Sequence, residues 1–178
     1  MNSRHPIRST IRTHAGEAES EAETLKRDFR EALSYWASGV AVLAVSDGDE
    51  VEAITVSAFA SVSVDPPLVL ACVANQSAIL PTLLDQRRFT VSLLAEDAQR
   101  AASAVAQRLP LDELRFAAEG DPVLEGAPVS LVCRLHAEHP GGDHRILVGE
   151  VERVELGRDA PPLLYFRRGY ARLQGTRR

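Results

Sequence analysis

Four hydroxyl side chains, Thr55, Ser57, Ser61 and Ser63, all fall at odd positions in a run that also holds Val56, Ala58, Phe59, Ala60 and Val62. Side chains on a strand alternate between faces, so this spacing predicts hydroxyls on one face and small apolar groups on the other. Small side chains let a flat ring approach the backbone, whose N–H and C=O groups can match a hydrogen-bonding ring edge. The hydroxyls can donate to ring oxygens or to a phosphate. The same alternation also describes an ordinary amphipathic strand with a solvated Ser/Thr face. Asp65-Pro66-Pro67 follows as a rigid corner, because each proline fixes its own φ.

A second constellation is His136, His139, Asp143 and His144, gathered around Pro140-Gly141-Gly142-Asp143. If the chain turns at 140–143, His139 and His144 flank the turn and face each other across the strands. Three imidazoles and a carboxylate are zinc-type donors. His136 and His139 have opposite strand parity, however, so the three rings share no face without a bulge, and no metal is expected. Cys72 and Cys133 lie far apart in apolar runs, outside any Cys-x-x-Cys pair. They are expected to be reduced core residues. No Gly-x-Gly-x-x-Gly follows a strand, and neither a P-loop nor Gly-x-Ser-x-Gly is present, which argues against those nucleotide and hydrolase sites.

The elements that must position these groups follow from periodicity. Leu25, Phe29, Leu33 and Trp36 form one helical stripe, predicted to end at Gly39 and to place Trp36 between helix and barrel. Val40–Val45 is a continuous apolar strand, Ser46-Asp47-Gly48-Asp49 a turn, and Val51–Phe59 the returning strand. Leu68–Ala74 is the next strand. Ser77 is placed to cap a short helix through Leu84, with Pro81 in its first turn. Arg88–Ala95 reads as a strand, Glu96–Leu109 as an Ala-rich helix, and residues 110–128 as a loop. Val129, Leu131, Cys133, Leu135 and Ala137 alternate as a half-buried strand, His144–Leu156 returns from the turn, and Leu163–Phe166 closes the series. Six or more strands at hairpin spacing, against two or three helices, predict a mainly β protein: an antiparallel barrel with peripheral helices.

Residues 1–23 have almost no apolar content and are expected to be a flexible arm before a single domain over 24–178. The formal charge of −5 argues against nucleic acid as a partner. No apolar run approaches the roughly 18 residues of a membrane span, and no secretory h-region is visible. A cytoplasmic protein without a membrane partner is expected.

The segment 55–67 resembles the flavin-contacting motif of the short-chain flavin reductases, the split-barrel reductases of two-component flavin-dependent monooxygenases. It keeps Thr55, Val56, Ser57, Phe59, Ser61, Val62, Ser63, Asp65, Pro66 and Pro67, with Ala58 and Ala60 at two positions where the family carries hydroxyls. Similar pieces follow in family order: 29–33 with 38–42, Leu68–Val73 through Ser77, 88–94, the Gly142-Asp143-His144 motif, 162–165 and 169–173. The segment 107–121 departs from the pattern; Leu114-Arg115-Phe116 is its nearest match. The resemblance implies an FMN-binding split β-barrel that transfers hydride from NADH or NADPH to FMN or FAD and supplies reduced flavin to a separate monooxygenase. It implies a homodimer and a cofactor site at Thr55, Val56, Ser57, Ala58, Ser61, Val62, Ser63, Ala74, Asn75, Ser77, Gly142, Asp143 and Tyr165. It places the phosphate near Ser61 and Ser77, and His144 beside the nicotinamide or flavin as the catalytic residue. A non-catalytic FMN-binding barrel, or a flavoprotein that retains FMN and reduces another substrate, remains open as an alternative.

Overall fold

The computed structural model describes residues 20–48, 50–107, 114–117 and 120–173. The described residues divide into two units at the Leu33–Ser34 junction. Most of the expected N-terminal arm lies outside the described residues, but its last positions are already helical. Helix α1 spans Glu21–Ser34. Ser20 caps it: the Glu23 N–H donates to Ser20 Oγ at 3.3 Å and the Thr24 N–H to the Ser20 carbonyl at 3.0 Å. No residue of α1 is buried, and its apolar stripe of Leu25, Phe29 and Leu33 is exposed.

The second unit is built on antiparallel strands. These are β1 (Ser38–Gly39), β2 (Ala41–Asp47), β3 (Glu50–Val56), β4 (Phe59–Val64), β5 (Pro67–Ala74), β6 (Arg88–Leu93), β7 (Val129–Gly141), β8 (His144–Leu156), β9 (Leu164–Phe166) and β10 (Gly169–Ala171). Helices α2 (Ile79–Gln86) and α3 (Gln99–Ala106) interrupt them. Seven strands form one sheet in the order β3-β2-β6-β7-β8-β5-β4, and β1-β9-β10 form a second. In the large sheet β3 and β4 are the two edges, unpaired with each other, while β3 curls back to lie beside β5. This is the expected antiparallel barrel, split between its two edge strands.

Strand β2 is buried on both faces, as its unbroken apolar run requires. Ala41, Leu43 and Val45 enter a core with Val73, Leu83, Phe89, Val91, Leu135 and Leu147. Val40 and Val42 enter a second core with Leu94, Ala102, Val105, Leu124 and Leu163. Three backbone hydrogen bonds join the sheets there: Val40 N–H to Leu163 O, Leu163 N–H to Leu94 O and Leu94 N–H to Val40 O, at 2.8–3.1 Å. The buried hydroxyls are all spent. Thr90 Oγ1 donates to Pro122 O at 2.6 Å, Ser92 and Ser130 share a 2.8 Å hydrogen bond, and Ser92 Oγ accepts from the Leu124 N–H. They fasten the 121–124 loop to β6. On the outer face, Arg88 bridges Asp121 and Glu152. The Arg88 guanidinium holds the Asp121 carboxyl below its ordinary range.

Several expectations shift. α1 stops at Ser34, because Ser38 and Gly39 are taken into pairing with Tyr165 and Leu164. Trp36 therefore lies beyond the helix and is 78% exposed rather than packed in a core. The predicted strand Val51–Phe59 breaks at Ser57-Ala58, and a bulge separates Ser61 from Ser63. The four hydroxyls consequently occupy two opposite edges of the sheet and do not share a face. Ala78, not Ser77, is the N-cap of α2. The expected helix 96–109 is a 3-10 turn Glu96–Ala98 followed by α3, and Leu109 lies outside the described residues. His144 stands opposite Gly141 and His139 opposite Ile146, so the two rings do not pair across the hairpin. A register shift does fall at His136, which lies 3.5 Å from Glu150.

Candidate active site

The split in the barrel is a cleft. A cavity of about 330 Å³ opens between the end of β3 with its exit (Ile54, Thr55, Val56, Ser57 and Ala58) and β5 (Cys72, Val73 and Ala74). Ser77, Val105 and Ala106 of the flanking segments and His144 at the start of β8 complete its wall. A second lobe of about 220 Å³ shares Thr55, Val56, Ser57 and Ala106, and adds Val40, Tyr165 and Tyr170. The larger volume lies at the lower end of the small-molecule range, and the smaller lobe extends it. The short β3–β4 connection is held against β5 by the Cys72 N–H, which donates to Ala58 O at 3.0 Å.

Each wall has a local cause. β3 must leave the sheet at Ser57 because the chain crosses to the far edge to form β4, which leaves 55–58 lining an open rim. Ala74 pairs with His144, so β5 delivers the imidazole to the cleft. Asn75 clamps the hairpin tip twice: its N–H donates to Asp143 O at 2.9 Å and its Nδ2 to Gly142 O at 3.0 Å. Gly142, at φ +72°, takes the left-handed turn that the two-residue loop requires. Tyr165 and Tyr170 are cross-strand partners on β9 and β10, edge to face at 5.8 Å.

The structure thus brings together Thr55, Val56, Ser57, Ala58, Ala74, Ser77 and His144, with Tyr165 in the adjoining lobe. It does not place Ser61, Val62 or Ser63 on either cavity wall; they run along edge strand β4. Asn75, Gly142 and Asp143 do not line either cavity. The sequence had no signal for Cys72, Val105, Ala106 or Tyr170 as lining residues, because an apolar side chain at a cavity has the same periodicity as one in a core. Cys72 is half-buried on the cleft, unlike buried Cys133.

Among the described residues the lining carries no Lys or Arg. Recognition there falls to hydroxyls, backbone and one imidazole around small side chains, a donor set that fits a flat, uncharged, hydrogen-bonding ring such as an isoalloxazine. Ser77 adds a further hydroxyl to the wall.

Residues 33–174 match the flavin reductase like domain, and the chain belongs to that family. The reductase component of 4-hydroxyphenylacetate 3-monooxygenase from Thermus thermophilus is 46% identical over 153 residues, covering 84% of this chain and 97% of that protein. An NADH-dependent flavin reductase from Rhodococcus is 36% identical over 166 residues, covering 90% and 92%. Among solved structures, the Streptomyces globisporus NADH:FAD oxidoreductase SgcE6, in complex with NAD and FAD fragments, superposes with a TM-score of 0.81 at 29% identity. It covers 89% of this chain and 99% of that one. The family expected from 55–67 and the order of the other pieces is the family found.

Proposed function

We propose that the protein is an NAD(P)H:flavin oxidoreductase that reduces FMN or FAD with NADH or NADPH and supplies reduced flavin to a separate monooxygenase. The observation that carries this is the cleft at the barrel split. It presents small side chains at 55–58, faces His144, and belongs to a chain 46% identical to a monooxygenase reductase component.

Bound flavin supplies the hydride-accepting ring. The chain supplies proximity and orientation. Small side chains at Val56, Ser57 and Ala58 let the ring approach the backbone; Thr55, Ser57 and Ser77 offer hydroxyls; Tyr165 closes the adjoining lobe. His144 stands where it can contact the nicotinamide or the flavin. The open rim suits a ligand that enters and leaves as a substrate.

A homodimer fits the apolar groups left exposed on this chain, among them Leu25, Phe29, Leu33, Trp36 and Val64. Among the described residues no helix is long and apolar enough to cross a membrane. We place the protein in the cytoplasm, with one domain following an N-terminal arm, and with neither nucleic acid nor membrane as a partner.

The purified full chain should oxidise NADH or NADPH only when riboflavin, FMN or FAD is added, with rates that saturate in flavin. Absence of flavin-dependent oxidation with both nucleotides would sink the assignment.

A further inference from the structure

The hairpin that delivers His144 also fixes which of its nitrogens carries a proton. His144 Nδ1 lies 2.7 Å from Asp143 Oδ1. An ionised carboxylate only accepts hydrogen bonds, so Nδ1 must be the donor. In the neutral ring Nε2 is then a bare lone pair, and it has no protein partner among the described residues. The ring itself lines the cleft. Asp143 does not; its side chain is 94% exposed, and its neighbours hold the turn from behind. The two Asn75 hydrogen bonds to Gly142 O and Asp143 O brace the tip, and the Ala74–His144 pairing fixes the strand on which the ring sits.

We infer that Asp143 is a positioning residue that holds His144 as the Nδ1–H tautomer, so that Nε2 accepts a hydrogen bond from the carboxamide N–H of the reduced nicotinamide. This rests on the reductase reading above. An acceptor in a cleft otherwise lined by hydroxyls and small apolar groups discriminates in one direction: it rewards a ligand N–H and gains nothing from a carbonyl alone. Asp143 thereby acts on recognition of the carboxamide without touching the nucleotide. A second-layer carboxylate that sets a histidine tautomer is a general device; here it is encoded by two adjacent residues.

Two measurements test it. The first is NMR of the wild-type chain with isotope-labelled imidazole nitrogens, free of ligand, at a pH where the same spectra show the ring neutral. His144 should carry its proton on Nδ1. In Asp143→Ala no side chain accepts from Nδ1, and the proton should move to Nε2. A wild-type proton on Nε2, or a tautomer unchanged by Asp143→Ala, overturns the inference.

The second compares NADH with reduced acetylpyridine adenine dinucleotide, in which an acetyl group replaces the carboxamide and removes its N–H. For the wild type, KM and the directly titrated Kd should both be about tenfold weaker for the analogue, the scale of one lost hydrogen bond. In Asp143→Ala the ratio should fall to below about threefold, since an Nε2–H would donate equally to either carbonyl. An equal ratio in both proteins overturns the inference. Failure of the reductase reading is separable, because NMR and titration need no turnover: a protein that oxidises neither nucleotide still reports its tautomer and its preference.

Discussion

At Gly149 there is no room for a side chain. A Cβ there would lie 2.6 Å from Phe89 Cζ and 3.1 Å from Cys133 Cβ, and Phe89 is fully buried in the main core. Gly149→Ala should therefore destabilise the fold by roughly 1–3 kcal/mol through overpacking. Urea denaturation measures the loss, and adding Phe89→Leu should recover part of it. Unchanged stability in the single variant would show that the ring moves freely. Gly157 is tighter still, with a notional Cβ 2.3 Å from the Ala127 carbonyl oxygen. Neither glycine is marked in the sequence, since close approach of an aromatic ring or a carbonyl is a tertiary fact. The place of His144 at the start of β8 was legible because its strand pairing follows from one hairpin. Cys72 and Ala106 were not, for they look like any other apolar position.

At the scale of elements, the loop carrying Asp121 is the joint most open to test. Its carboxylate is bound by Arg88 at the head of β6 and by Arg153 of β8, and its pKa is lowered chiefly by the hydrogen bond from Arg88. A carboxyl depressed in the folded state contributes stability above its ordinary value of 3.8. That contribution is lost as pH falls through the lower folded value. The stability gap between wild type and Asp121→Asn should be widest at neutral pH and should close below the ordinary carboxylate range. A gap that persists in acid would assign the effect to packing. The strands themselves were largely readable, with β8 found at its predicted limits. What failed was the stretch from Ser57 to Ser63, where alternation was projected through a strand break and a bulge. Helix α1 was overrun for a related reason: β1 is only two residues long and exists because β9 pairs with it. Pairing of that kind leaves no periodic trace.

For the molecule as a whole, the exposed apolar groups on and after α1 make association measurable. Trp36 is the single tryptophan of the chain and is 78% exposed here. If a second copy covers this region, as the homodimer proposal requires, its emission should shift to the blue as concentration rises, in step with the mass seen by light scattering. Emission typical of wet indole at every concentration would leave that region uncovered. The cleft offers a further handle. The chain has two cysteines. Burial pushes the Cys133 thiol up to about 12, which makes it inert towards alkylation near neutrality, while Cys72 sits half-buried on the cleft wall. A maleimide should therefore add once, at Cys72; FMN should slow that addition, and Cys72→Ala should abolish it. The protein thus carries an internal gauge of site occupancy, readable by mass spectrometry without any nucleotide, partner or turnover.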